Sequence, residues 1–282
     1  MLSLYHPAIE INQIFWYTKI ILKFLLKYTK GEKMNSDLVR ENERIDDLQL
    51  GGLKLIQNPE WFCFGVDAVL LADFAKKGIK KDFEVVDFCT GNGIIPILLS
   101  AKTDAKLITG IEIQDCIADL ASRNVKFNNL EQTILILNGD VKNAPLHFKK
   151  CSVDYITCNP PYKEAGSGLK NTDSVVSIAR HEILLKLEDI IKSAENILKP
   201  GGKIAIIHRP ERLIDIIWLL RQNKIEPKRL RFIHPYPEKT ATMILIEGTK
   251  HGGKKLFLEP PLYIYDENKN YTKEIDRIYG RI

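Results

Sequence analysis

Glu84 to Pro96 compress a strand, a glycine-rich turn and a helix start into one unbroken segment. Val85, Val86 and Phe88 are strand formers. Gly91 and Gly93 allow a tight turn and close approach of the backbone to a ligand. Ile94 to Ala101 continue as an apolar helix whose first N–H groups have no partner within the helix. The same alternation recurs downstream. Leu107–Glu112, Ile134–Leu137, Val153–Cys158 and Lys203–His208 read as strands. Gln114–Phe127 and Leu187–Leu198 carry apolar residues at helical spacing, the second stopped by Lys199-Pro200-Gly201-Gly202. Pro210 opens a further helix. Strands alternating with helices predict an α/β fold with a mostly parallel sheet and helices on both faces. Arg229–His234 and Thr242–Glu247 are predicted to close it as an antiparallel hairpin, making seven strands.

In such a sheet, ligands bind beyond the carboxyl ends of the strands. Four successive strands end there in polar residues: Asp87, Glu112, the Asn138-Gly139-Asp140 turn and Asn159. A phosphate loop is excluded, because no Gly-Lys-Ser/Thr follows the turn. A dinucleotide site lacks its third glycine, which is replaced by Pro96. Asp87 adds negative charge where a pyrophosphate needs none, and suits a ligand carrying an amine. Glu112 lies on the order of 20 residues beyond the glycines, where ribose hydroxyls are held. Asp140 is placed to accept from an adenine amino group. Each acid taken alone also reads as a helix cap or a turn residue.

The fourth strand runs into Asn159-Pro160-Pro161-Tyr162. Asn159 offers a side-chain carbonyl, and Pro160 a main-chain carbonyl with no N–H beside it. Two acceptors on a stiff turn can grip both hydrogens of a planar –NH2 group, and Tyr162 supplies a flat face for stacking. The polar, glycine-rich Lys163–Asn171 stretch reads as a substrate lid, with Pro161, Lys163, Arg180 and His181 as candidate substrate contacts.

Phe64-Gly65-Val66-Asp67-Ala68-Val69-Leu70-Leu71-Ala72, Asp87-Phe88-Cys89-Thr90-Gly91-Asn92-Gly93, Glu112, Asn138-Gly139-Asp140 and Asn159-Pro160-Pro161-Tyr162 together resemble class I S-adenosylmethionine-dependent methyltransferases. Ala179-Arg180-His181-Glu182 and the Phe64–Ala72 segment narrow the resemblance to the bacterial tRNA(Val) adenine-N6 methyltransferase family. The resemblance covers Asn42 to the C-terminus. It implies a Rossmann-like fold and S-adenosylmethionine as cofactor. Phe64, Asp67, Asp87, Thr90, Gly91, Asn92, Gly93, Glu112, Asp140 and Asn159 would bind that cofactor, and Asn159, Pro160 and Tyr162 would be catalytic. The expected reaction methylates N6 of the adenine next to the anticodon. The same tetrad would also serve guanine N2 in rRNA, adenine N6 in DNA or a glutamine side chain in protein. A non-enzymatic RNA-binding scaffold with a vestigial cofactor pocket is the reading from another class.

Composition agrees with a reducing, cytoplasmic setting. The five cysteines form no C-x-x-C pair, and the six histidines show no metal spacing. Within the net charge of +5, Lys224 to Lys255 hold eight basic and three acidic residues, which suggests tRNA or another nucleic acid as partner. Residues 1–33 differ from the rest. Ile11–Tyr28 is apolar, but Lys19, Lys23 and Lys27 interrupt it, so it suits neither a membrane span nor a signal peptide. An amphipathic surface helix, a partner-binding helix and an extension upstream of a native start at Met34 all accommodate it, and the last fits best. The expected division is an extension over 1–33 and a methyltransferase domain with a basic C-terminal region over 34–282. No stable membrane association is expected, and the oligomeric state is not legible.

Overall fold

A computed structural model describes residues 37–61, 63–161 and 186–282. The contacts divide the chain into a unit over Met1–Glu43 and a larger one over Arg44–Ile282. The expectations placed on residues 1–33 and on 162–185 lie outside the described residues.

The larger unit opens with a hairpin. Strands β1 (Arg44–Asp47) and β2 (Lys54–Gln57) pair antiparallel, with Ile45 opposite Ile56. Helix α1 (Val66–Lys76) leads into β3 (Glu84–Phe88). The glycine turn then gives α2 (Ile94–Lys102), β4 (Leu107–Glu112), α3 (Asp115–Phe127) and β5 (Ile134–Asn138). A short helix α4 (Ala144–His147) precedes β6 (Val153–Cys158). The chain continues with α5 (Leu187–Ile197), β7 (Leu198–His208), α6 (Leu213–Gln222), β8 (Ile225–His234) and β9 (Met243–Lys250). Two-residue strands β10 (Phe257–Leu258) and β11 (Leu262–Tyr263) and helix α7 (Lys273–Ile278) complete it.

The main sheet has the order β10-β8-β9-β7-β6-β3-β4-β5, with β11 also paired to β8. β5, β4, β3, β6 and β7 run parallel, and β9 inserts antiparallel between β7 and β8. The seven strands expected from the sequence are therefore all present, with the predicted terminal hairpin. The sheet counts nine because β10 and β11 extend its edge, and a two-residue strand is too short to leave a periodic signal. The β1–β2 hairpin was not anticipated either. β7 starts at Leu198 rather than Lys203, absorbing Gly201 at φ +81° where its register against β6 shifts.

Alternation along each strand feeds two cores. Val85 and Ile207 face α1, α2 and α7, whereas Val86, Phe88 and Ile206 face α5 and α6. Leu71, Ile97 and Leu99 are fully buried, each contributing roughly 1.5–3 kcal/mol by leaving water. The sheet thereby has a defined polarity. The carboxyl ends of β3, β4, β6 and β7, the start of β9 and the ends of β8 and β11 all share one edge.

Candidate active site at the carboxyl edge of the sheet

The strand ends converge as their alternation requires. Asp87 and Thr157 sit opposite each other on β3 and β6. Thr157 Oγ1 donates to Asp87 Oδ1 at 2.6 Å. Asp87 is fully buried, and its Oδ2 has no hydrogen-bond partner among the described residues. Burial pushes its pKa up to about 7, against the opposing Thr157 hydroxyl, and nearby Glu112 adds to the rise. The Thr90 hydroxyl is near enough to help hold the charge. It is itself buried and, among the described residues, has no partner of hydrogen-bonding geometry.

The glycine turn needs its glycines. Cys89, Gly91 and Gly93 all have positive φ, at 58°, 56° and 83°. Cys89 tolerates a conformation that costs a non-glycine residue on the order of 1 kcal/mol or more. A Cβ on Gly91 would point into open space, so the backbone at that position is exposed to an incoming ligand. Gly91 N donates to Glu112 Oε2 and Gln114 N to Glu112 Oε1, both at 3.0 Å. Burial raises the Glu112 pKa, and those backbone donors oppose the rise. Asn92 is buried, with its Nδ2 donating to Gln57 Oε1 at 3.4 Å. Asp140 caps a 3-10 turn, its Oδ1 accepting from Lys142 N at 2.9 Å. Here the bland reading of a strand-end acid, as a cap, is what the geometry contains.

Asn159 stands half-buried at the end of β6, and Pro160 beside it is buried. Asn159 Nδ2 donates to Asp67 Oδ2 at 3.0 Å. The carboxylate fixes which arm of the amide is the donor, and so which arm is the acceptor. Asp67 belongs to the first turn of α1, and its Oδ1 leaves no room for a Cβ at Gly65. Phe64 N donates to Gln57 Oε1 at 3.1 Å. Pro161 is exposed; Tyr162, Lys163, Arg180 and His181 lie outside the described residues.

Three further residues were not anticipated. Asn124 on α3 is fully buried. Its Nδ2 donates to both Ile56 O and Asn92 O at 3.0 Å, and its Oδ1 accepts from Ile56 N at 2.6 Å. Gln57 ties Phe64 to Asn92 in the same way. His208 ends β7 at this edge. Burial, then Arg212, push its pKa down to about 4, so the imidazole is neutral at pH 7. A buried amide inside a predicted helix was the available signal for Asn124; nothing local marks the other two.

Part of the basic C-terminal region is consumed internally. Arg229 pairs with Glu247 and Glu259, Arg231 with Glu274, and Lys250 is buried against Glu195 and Leu198 O. Lys224, Lys254 and Lys255 are exposed, but they flank the start of β8 and the end of β9, at the opposite edge from Asn159. Among the described residues no His/Cys/Asp/Glu cluster suits a metal ion, and no helix is long and apolar enough to cross a membrane. Cys158 is buried in the core and Cys89 packs against it. Burial pushes the Cys158 thiol pKa well up, as for an inert core cysteine.

The family model for the methyltransferase small domain matches residues 64–217. The tRNA1(Val) (adenine(37)-N6)-methyltransferase of Porphyromonas gingivalis is 30% identical over 187 residues, covering 65% of this chain and 72% of the relative. The protein of the same name from Photobacterium profundum is 24% identical over 205 residues, 72% of this chain and 84% of the relative. Among solved structures, a protein described as a predicted O-methyltransferase from Agrobacterium tumefaciens superposes with a TM-score of 0.61 at 21% identity. It covers 76% of this chain and 95% of that one, which speaks for the fold alone.

Proposed function

Because the chain belongs to the methyltransferase small domain family, we propose that it transfers a methyl group from S-adenosylmethionine to N6 of an adenine in tRNA, the adenine beside the anticodon of tRNA(Val). The names of the matching relatives support the nucleotide. The observation that carries the chemistry is the Asp67–Asn159 hydrogen bond at 3.0 Å, on the strand edge next to the glycine turn.

The residues present fit the cofactor. Asp87 Oδ2 and Thr90 Oγ1 are buried without partners, which is costly unless a ligand supplies them. The open space over Gly91 leaves room for that ligand. When bound, S-adenosylmethionine supplies an electrophilic methyl on sulfonium. Asp87 would hold its amino group. Glu112 would accept from the ribose, since a carboxylate has about four acceptor sites and two backbone donors are in place. Asp140 would take the adenine end, and Phe64 a flanking apolar contact.

The N–CH3 bond would form as the S–CH3 bond breaks to leave the neutral thioether S-adenosylhomocysteine, and the strongly acidic methylated nitrogen would then shed one proton to water, so no dedicated base is needed. An adenine amino nitrogen is a poor nucleophile because its lone pair is delocalised into the ring. Asn159 Oδ1 and the Pro160 carbonyl would accept its two hydrogens and favour a pyramidal nitrogen, directing the lone pair outward. Asp67 holds the Asn159 amide in the orientation that does this. The gain is orientation and fixed dipoles. We place the reaction in the cytoplasm, where tRNA is modified in bacteria. The test is transfer of labelled methyl to unmodified tRNA, followed by nucleoside mapping. N6-methyladenosine at the expected nucleotide is the expected result; label in DNA, rRNA guanine or protein glutamine would replace this reading with that one.

A further inference from the structure

Four tyrosines from separate parts of the C-terminal region stack into one continuous ladder at the same edge as Asn159. Tyr236 and Tyr265 lie with ring centroids 5.3 Å apart, Tyr265 and Tyr271 5.2 Å, and Tyr271 and Tyr279 6.0 Å. Interplanar angles are 30°, 11° and 23°. The Arg281 guanidinium closes one end, 4.7 Å from the Tyr279 centroid and 5.3 Å from that of Tyr271. Its Nε is fixed by donating to Gln49 Oε1 at 2.8 Å.

The position of the ladder follows from topology. β8 and β11 both end at the site edge, and the chain beyond them carries Tyr236 and Tyr265. Tyr271 is bridged back to Tyr265. Tyr279 follows α7; burial, then Tyr271, pushes its hydroxyl pKa up to about 12, with a smaller contribution from the Asp67 charge. Asp67 in turn bonds Asn159. Tyr279 and Arg281 also line a pocket of about 100 Å³ with Phe64. The ladder thus runs from the antiparallel margin of the sheet to the residues that hold the catalytic amide.

Ring spacings of 5.2–6.0 Å at low angles are offset stacks. Offset leaves part of each face uncovered, and Tyr271 is 36% exposed. From Tyr265 to Ile282 there are four acidic and four basic residues, so this surface has no net charge with which to attract phosphate. Of the exposed lysines between Lys224 and Lys255, Lys224, Lys254 and Lys255 sit at the far edge, whereas Lys239 stands at this edge beside the exposed Glu238 in the β8–β9 turn. Aromatic faces and a guanidinium plane with little net charge recognise bases by stacking.

We propose that the Tyr236–Tyr265–Tyr271–Tyr279–Arg281 ladder binds unpaired nucleobases flanking the one that enters the site. The ladder holds the single-stranded loop of the RNA against the edge of the sheet. This rests on the RNA reading above. A base splayed out of its own stack recovers that energy on the ladder, which makes extrusion of its neighbour less costly.

The test titrates an unmodified anticodon stem-loop transcript, fluorescently labelled, into the wild-type chain and into Tyr236→Ala, Tyr271→Ala and Tyr271→Phe. S-adenosylhomocysteine affinity is measured alongside. Each alanine should weaken RNA binding about tenfold, with cofactor affinity unchanged. Tyr271→Phe should stay within about twofold, because the ring carries the contact. The salt dependence should keep its slope, since no phosphate contact is lost. Wild-type affinity in both alanine variants overturns the ladder while leaving the RNA reading intact. Should Tyr271→Ala fail to fold, Tyr236→Ala decides, because its ring is the terminal rung. A wild-type chain that methylates tRNA nowhere and labels protein instead removes the RNA reading, and the ladder with it.

Discussion

Two carboxylates, Asp87 on β3 and Glu247 on β9, are both fully buried in the same sheet, and they are treated in opposite ways. Glu247 has donors on every side. Tyr155 Oη donates to its Oε2 at 2.6 Å, Arg229 to the same oxygen at 3.0 Å, and Lys203 to Oε1 at 3.2 Å. Arg229 is in turn held over the Phe74 ring at 4.0 Å. Asp87 has Thr157, and an oxygen left bare. Burying charge is expensive unless it is paired. A site whose carboxylate is fully paired belongs to the scaffold; one left short has a place for a ligand. The location agrees, since Asp87 lies beside the glycine turn and Glu247 does not.

Glu247→Ala should have the largest effect, a stability loss of about 3–5 kcal/mol from stranding Arg229, Lys203 and Tyr155. Chemical denaturation would read it; an unchanged midpoint would break the contrast from the scaffold side. Asn159→Ala comes next. It should lower kcat by roughly 10²–10³, by analogy with loss of one fixed dipole. Cofactor affinity and melting temperature should hold, and calorimetry showing lost cofactor binding would merge the two roles that the site separates.

The pH response of Asp87 ranks third. With its pKa raised to about 7, the folded chain keeps a proton that the unfolded chain releases near 4. Stability should therefore fall as pH rises from about 4 to about 7, and level off above. Cofactor affinity should do the reverse, since an ammonium group favours ionised Asp87. It should rise up to about tenfold per pH unit from pH 5 to about 7, then flatten. Asp87→Asn should flatten both profiles and leave the fold intact. A pH-independent affinity in the wild type would show that the bare oxygen does not meet the cofactor. The smallest effect is Tyr155→Phe, about 1.5–3 kcal/mol for one hydrogen bond lost to a charged oxygen that keeps Arg229, measured by thermal melting with turnover unchanged.

The same contrast explains what the sequence disclosed. Asp87, Glu112 and Asn159 were legible because each ends an apolar run, and the sheet alone brings such ends together. The Asp67–Asn159 bond was not, because its partners are 92 residues apart and nothing local couples them. The ladder was missed for the same reason. Its tyrosines fall in different elements with no common period, and only the pairing of β8 with β9 and β11 assembles them. Charge counting overstated how much of the basic stretch is free at the surface. Lys224 to Lys255 is basic as a string, but Arg229, Arg231 and Lys250 are neutralised within the fold.

Asn124 carries one more consequence. A single amide side chain is bolted to the Ile56 backbone through two bonds and to the Asn92 carbonyl through a third. Tightening of the loop that contains Asn92 must therefore be felt in the β1–β2 hairpin. The Ile56 amide is thus a built-in gauge: its exchange with deuterium should slow when the pocket fills, and would report occupancy without any label on the ligand.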